Sequence, residues 1–343
     1  MLRFLIALLV AALTACTAVA KQPAPEGYAG RTEVRSFAAD LAVRRGLDRD
    51  WVLAQLAQAR PQPTVQRLIM PAPAGAAKDW SAYRDRFVEP RRIAAGLAFW
   101  EAHEDVLKRA EQRFGVPAAV VVGIVGVETF YGRVMGNYRI LEALATLGFD
   151  FPAGRSDRSA YFRSELEEFL VLARREGVNP LQQRGSFAGA IGLPQFMPGS
   201  INRFAIDFDG DGQVDLANSA ADAIGSIANF LVEHGWQRGM VTHYAVGVPT
   251  EAADRALLLA PDILPSFSAA QFAERGAMLP EAGRAHGGPL ALVMVENGAA
   301  APSHVAGTQN FYVLTRYNRS SYYALAVIDL GVAVQAAWDR ARK

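Results

Sequence analysis

Apolar residues run almost without interruption from Val120 to Val127 and stop at Glu128, the pattern of a helix buried on nearly every side. Gly115 and Pro117 separate this run from residues 90–114, where apolar and charged positions recur at helical spacing, and the buried helix is expected to end near Gly132. Residues 33–59 also read as helical, with Phe37, Leu41, Leu53 and Leu56 apolar and a break at residues 46–48. Pro61, Pro63, Pro71 and Pro73 then mark an extended connection. Residues 161–177 and 220–234 form two further amphipathic helices, each stopped by a glycine. Only the last quarter departs from this: residues 290–296 and 310–317 are short runs of strand formers. The pattern predicts a mainly α protein of the α+β class with a small antiparallel β region and no internal repeat.

Composition narrows the function classes. The chain has 343 residues, 51% of them hydrophobic and 20% charged, which suits a folded protein of one large or two medium domains. A net charge of +1 provides no basic field for nucleic acid. The opening M-L-R-F-L-I-A-L-L-V-A-A-L-T-A-C places one arginine before an apolar stretch too short to span a bilayer, so it reads as an export signal. Cys16, the only cysteine, stands in L-T-A-C, which resembles the lipobox of bacterial lipoproteins; an ordinary signal cut near Ala18 or Ala20 is the alternative. A lipidated Cys16 implies a signal over residues 1–16, a tether over 17–32 containing Pro23, Pro25, Gly27 and Gly30, and a folded region over 33–343. Thr17 in place of an aspartate resembles the pattern for retention at the outer membrane, facing the periplasm.

Three segments carry candidate chemistry. Glu128, within G-V-E-T-F-Y-G, is a carboxylate presented by an apolar helix, which raises its pKa and suits it to general acid work; the alternative is a first solvent-facing residue paired with Arg133. The segment G-S-F-A-G-A-I-G-L-P-Q-F-M-P-G-S, residues 185–200, is too rich in Gly and Pro for a regular element and too apolar for a solvated loop. Its small residues allow close approach to a ligand, Ser186 and Gln195 offer hydrogen bonds, and Phe196 and Met197 offer apolar faces for sugars; the alternative is a tight interhelical connection. In D-F-D-G-D-G-Q-V-D, residues 207–215, Asp207, Asp209 and Asp211 at positions 1, 3 and 5, glycine at 6 and the Gln213 carbonyl at 7 reproduce the start of an EF-hand loop. One structural Ca²⁺ is expected there. Position 12 is Asn218, so Asp222 is the candidate closing ligand. The histidines, at 103, 234, 243, 286 and 304, have no zinc spacing, and no G-x-S-x-G elbow occurs. No organic cofactor is implied.

Taken together, these residues resemble the membrane-bound lytic murein transglycosylase B family of bacterial cell-wall enzymes. The resemblance covers roughly residues 37–337 and is carried by G-V-E-T-F-Y-G, L-A-T-L-G-F-D-F from Leu144, F-R-S-E-L-E-E-F-L from Phe162, G-A-I-G-L-P-Q-F-M-P from Gly189, D-F-D-G-D-G and T-R-Y-N-R-S from Thr315. It implies a lysozyme-like catalytic core over about residues 90–250, with an EF-hand-like loop at 207–222. An attached helical domain and a small β-containing region at about 285–320 complete the expected architecture. It also implies Glu128 as the catalytic residue, a cleft lined by Tyr131, Ser186, Gln195, Met197, Tyr317 and Asn318, and peptidoglycan glycan strands as substrate, with other cell-wall enzymes as partners. Such enzymes cleave between N-acetylmuramic acid and N-acetylglucosamine without water, leaving 1,6-anhydromuramoyl ends. Tyr322 and Tyr323, near Tyr317 and Asn318, offer a further sugar platform, with packing, the commoner role of aromatic residues before a helix, as the alternative. Two other readings stay open at this point: a hydrolytic muramidase using a second carboxylate such as Asp150 or Asp157, and a wall-binding lipoprotein that holds glycan without cutting it.

Overall fold

The computed structural model describes residues 27–71 and 78–343; the signal segment, Cys16 and the first part of the expected tether lie outside them. Order begins earlier than the expected tether end at residue 32. Tyr28, in a 3₁₀ turn over Tyr28–Gly30, is fully buried and donates its hydroxyl hydrogen bond to Asp150, while Arg31 pairs with the same carboxylate at 2.5 Å. Gly27 itself packs so tightly on Ala57 that a Cβ would lie 2.0 Å from its carbonyl oxygen. The chain is thus fastened from Gly27 onward, so residues 27–32, expected within the tether, belong to the folded body.

Helices α1 (Thr32–Arg45) and α2 (Arg49–Gln58) are divided as the sequence predicts, by Gly46 in the left-handed region and by Asp48, whose carboxylate accepts from the Trp51 amide. The expected extended connection instead contains a helix, α3 (Pro63–Leu68), because proline is preformed for the first helical turn. Next come α4 (Trp80–Asp85), α5 (Pro90–Ala102) and α6 (Glu104–Phe114). The single helix expected over residues 90–114 is two, interrupted at His103, whose backbone (φ −128°, ψ 24°) leaves the helical region, ending one and starting the other. The apolar run forms α7 (Ala118–Thr129). There follow β1 (Tyr138–Arg139), α8 (Ile140–Phe149), α9 (Ser159–Arg175), β2 (Arg184–Gly185, antiparallel to β1), α10 (Pro198–Phe204) and α11 (Ala220–Glu233).

The last quarter holds β3 (His243–Ala245), α12 (Ala252–Leu259), α13 (Ala269–Glu274), α14 (Glu281–Arg284), β4 (Ala291–Asn297), β5 (Ala300–Gly307), α15 (Gln309–Tyr317) and α16 (Ser321–Ala341). Its antiparallel sheet has the order β3-β5-β4, with Val293 opposite Val305 and Tyr244 opposite Ala306. The second expected strand, residues 310–317, is helix α15. Thr308 caps it by accepting from the Asn310 amide, and the Asn310 side chain is held by the Gln237 amide and by the carbonyls of Gln237 and Met240. These tertiary bonds outweigh a strand-like composition.

Three apolar cores result. Phe37, Leu41, Leu56, Leu144, Phe162 and Phe169 join α1, α2, α8 and α9; Leu258, Phe272, Leu290, Leu292 and Ala306 seal the sheet against α12 and α13. The largest core surrounds α7, which packs against α5, α6, α11 and, most extensively, α16. Two glycines permit that last contact: a Cβ on Gly123 would lie 2.3 Å from the Val327 carbonyl oxygen, and one on Gly331 would lie 2.3 Å from that of Ala119. The two backbones touch at reciprocal points, which fixes how α16 is set along α7.

Candidate functional site

Glu128 is the next-to-last residue of α7 and is only partly exposed, at the edge of the main core. Removal from water, which penalises the charged form, raises its carboxyl to about 7, and the Tyr323 hydrogen bond opposes that shift. Tyr323 donates its hydroxyl to Glu128 Oε1 at 2.7 Å. Desolvation, and then the carboxylate itself, hold the Tyr323 phenol well above its ordinary pKa, so the tyrosine remains a donor.

The helix ends abruptly after Glu128. Phe130 (φ 53°) and Tyr131 (φ 57°) are both left-handed, with their amides donating to the carbonyls of Gly126 and Val125. Consecutive non-glycine residues in this region are uncommon and costly, and they gather at functional sites. The turn sends Tyr131 inward, where its hydroxyl fills the space left by Gly96 and Gly126. Tyr131, expected on the cleft wall, is half-buried, with its hydroxyl enclosed between α5 and α7.

The Gly and Pro rich segment joins the site through backbone atoms. Thr129 donates to the Leu193 carbonyl at 3.2 Å, Tyr317 donates to the Pro194 carbonyl, and the Phe196 ring lies 5.7 Å from Tyr317. Gln195 takes a left-handed conformation (φ 49°) and its amide nitrogen donates to the Gly192 and Met135 carbonyls. Ser186 Oγ accepts from the amides of Ala188 and Ala190, shaping the loop while keeping its own proton available. Gly136, just beyond α7, packs on Gly185 and Ser186 so closely that no Cβ would fit. Met197 caps α10 and lies half-buried against the core of the α1, α2, α8 and α9 domain. Asn318 is exposed at the turn between α15 and α16, where its carbonyl accepts from the Ser320 amide; that turn stacks Tyr317 on Tyr323 at 6.2 Å.

Two site residues escaped the sequence reading in their actual roles. Tyr323 is a buried partner of Glu128 rather than a platform; its only signal was proximity to the Tyr317 motif. Tyr83, on α4, lies close enough for the Glu128 charge to bear on its phenol, and it contacts Trp80, Phe87 and Tyr322. Nothing in its local sequence marks it. Of the other acids, Asp150 is engaged by Arg31 and Tyr28, Asp157 by Ser159, Glu165 by the Gly199 amide, Glu167 by Arg44 and Arg45, and Glu142 by Gln62.

In the acidic loop, oxygens of Asp207, Asp209 and Asp211 lie within 4.8 Å of one another. Asp207 accepts from the amides of Gly210 and Gly212, which keep its carboxyl below the ordinary range, and Asp211 accepts from the Gln213 amide. Asp222, the expected closing ligand, lies outside this trio and is buried. Its Oδ1 accepts from the Phe208 and Asp209 amides and its Oδ2 from that of Asp215. Asn218 is tied to Asp215. Gathered hard oxygen donors fit Ca²⁺.

A family described as Transglycosylase SLT domain matches residues 29–332. The chain is 38% identical over 323 residues to the membrane-bound lytic murein transglycosylase B of Escherichia coli K12, covering 90% of this chain and 84% of that protein. It superposes on the E. coli lytic transglycosylase Slt35 in complex with calcium with a TM-score of 0.78 and 38% identity, over 92% of this chain and 97% of that one. Pseudomonas aeruginosa SltB3, in complex with NAG-anhNAM-pentapeptide, gives a TM-score of 0.70 at 26% identity, over 90% and 79%. A family match spanning nearly the whole described body, with a relative this similar along most of both lengths, means that the chain belongs to the SLT-domain lytic murein transglycosylases.

Proposed function

We propose that this protein cleaves the glycan strands of peptidoglycan between N-acetylmuramic acid and N-acetylglucosamine without water, with Glu128 as the one acid and then base. The observation that carries this reading is the setting of Glu128: a carboxyl raised to about 7, hydrogen-bonded to Tyr323, while the other candidate carboxylates are engaged elsewhere. Protonated Glu128 gives its proton to the leaving glycosidic oxygen as the C1–O bond breaks. The substrate's N-acetyl group supports the oxocarbenium-like centre. Glu128, now a carboxylate, takes the proton of the C6 hydroxyl as that oxygen bonds to C1 and closes the anhydro ring. The stacked Tyr317 and Tyr323 limit water around the carboxyl.

Asp207, Asp209, Asp211 and the Gln213 carbonyl would hold a structural Ca²⁺, while Asp222, the expected closing ligand, braces the loop by accepting from the amides of Phe208, Asp209 and Asp215. The calcium complex of Slt35 supports this assignment. The ion would fix the shape of the loop that leads into α11. For localisation, the L-T-A-C motif and the membrane-bound name of the E. coli relative support anchorage through a lipidated Cys16 on the periplasmic face of the outer membrane.

The test is mass spectrometry of products from isolated peptidoglycan. The unaltered protein should yield anhydromuramoyl ends, and Glu128→Gln should lose at least ~100-fold in rate, the usual minimum for general acid–base catalysis. New reducing ends would replace this reading with hydrolysis, and activity retained by the variant would remove Glu128 from the mechanism.

A further inference from the structure

One face of α5 grips the turn that ends α7. Arg92, Gly96 and Phe99 recur at helical spacing and so share that face. Arg92 Nη1 donates to the Gly126 carbonyl, and the guanidinium lies 4.4 Å from the centroid of the Phe130 ring. Gly96 leaves room for the Tyr131 hydroxyl, which a Cβ there would meet at 2.4 Å, and the Phe99 ring lies 5.5 Å from that of Tyr131. The parts held in this way are the two consecutive left-handed residues, Phe130 and Tyr131, and the carbonyl on which the turn closes, since Gly126 also accepts from the Phe130 amide. Glu128 stands in the chain between that carbonyl and those two residues.

Arg92 is costly to keep there. It is half-buried, and removal from water holds its guanidinium below its ordinary pKa. Among the described residues it forms no ion pair with a carboxylate, and its Nε is buried without a hydrogen-bond partner. Glu89, three residues earlier, commits its carboxylate to the amides of Arg91 and Arg92. A poorly solvated cation needs compensation. Here it comes from the carbonyl end of α7, where the helix dipole favours positive charge, and from the Phe130 ring. Both belong to the strained turn, and left-handed non-glycine residues persist only where their surroundings over-determine them.

We infer that Arg92 is a positioning residue for the reaction: by holding the Gly126 carbonyl and the Phe130 ring, it keeps the left-handed turn closed and so aims the Glu128 carboxyl. It acts only through the turn. The inference rests on the proposed role of Glu128 as the acid.

The test is steady-state cleavage of soluble peptidoglycan fragments by the full chain, with thermal unfolding measured alongside. Arg92→Met keeps much of the stem but has no donor and no charge. Its kcat should fall roughly tenfold to a hundredfold, the range for a displaced catalytic group, while KM stays within about twofold. Arg92→Lys, which keeps a cation on a stem of similar length, should lose less, about threefold, again in kcat; it carries the test if Arg92→Met fails to fold. Phe130→Gly supplies a residue that adopts the left-handed conformation without strain. In that background Arg92→Met should cost far less in kcat than it does alone. A lower melting temperature with kcat unchanged, a loss confined to KM, or the same loss in kcat with and without Phe130→Gly would overturn the inference. Activity retained by Glu128→Gln would instead overturn the assignment of the acid beneath it.

Discussion

At Glu128 two opposing effects set the proton affinity: exclusion of water pushes it up and the Tyr323 hydroxyl pulls it down. In the proposed reaction the group must be protonated at the start, so activity should decline as pH rises through about 7. Tyr323→Phe removes the group that steadies the carboxylate. The variant's alkaline limb should therefore move to higher pH, while its maximal rate drops about tenfold through loss of a hydrogen bond to a charged group. A pH–rate profile of both proteins checks this, and a limb moving to lower pH would contradict it. Glu128 was legible because its apolar run is continuous in sequence. Tyr323 and Tyr83 were not, because one lies 195 residues downstream and the other on a short helix of unremarkable composition.

At the scale of elements, the helices with strong periodicity were read correctly and the errors fell where tertiary contacts decide. Residues 310–317 have strand-forming side chains, yet the Asn310 network makes them α15. The unpredicted strand β5 carries Pro302 and small residues. Its pairing with β4 shifts register between Val295 and Asn297, and Pro302 lies beyond the part of β5 that β3 covers, where its missing N–H does least harm. The contact of α7 with α16 is the element-level constraint on the site. Gly331→Ala would drive a methyl into the Ala119 carbonyl, costing about 2 kcal/mol by the usual scale of overpacking and disturbing the Tyr323 to Glu128 bond. Thermal unfolding and cleavage rate should fall together. The acidic loop predicts a second effect: chelation should lower the melting temperature, and Ca²⁺ at about a hundred times its Kd should restore roughly 3 kcal/mol. An Asp207→Asn protein should respond far less.

Over the whole molecule, the fastening of the N-terminal segment was hidden from sequence reading, because Pro23, Pro25, Gly27 and Gly30 give the composition of a linker. What the composition could not show is that Tyr28 enters a pocket closed by Thr146 and Asp150. A chain starting at Thr32 should be about 3 kcal/mol less stable than one starting at Gly27, the cost of emptying a buried aromatic site, as denaturant titration would measure. The packing of α16 on α7 has a further consequence, for the order in which the protein is made. The acid appears at residue 128, but the helix that closes its surroundings and brings Tyr323 is the last one described. Until that helix is synthesised and docked, the carboxyl faces water and ionises at neutral pH. A chain that lacks α16 therefore carries Glu128 without its acidity, and on the proposed reaction the capacity to cut glycan arrives only once α16 has docked.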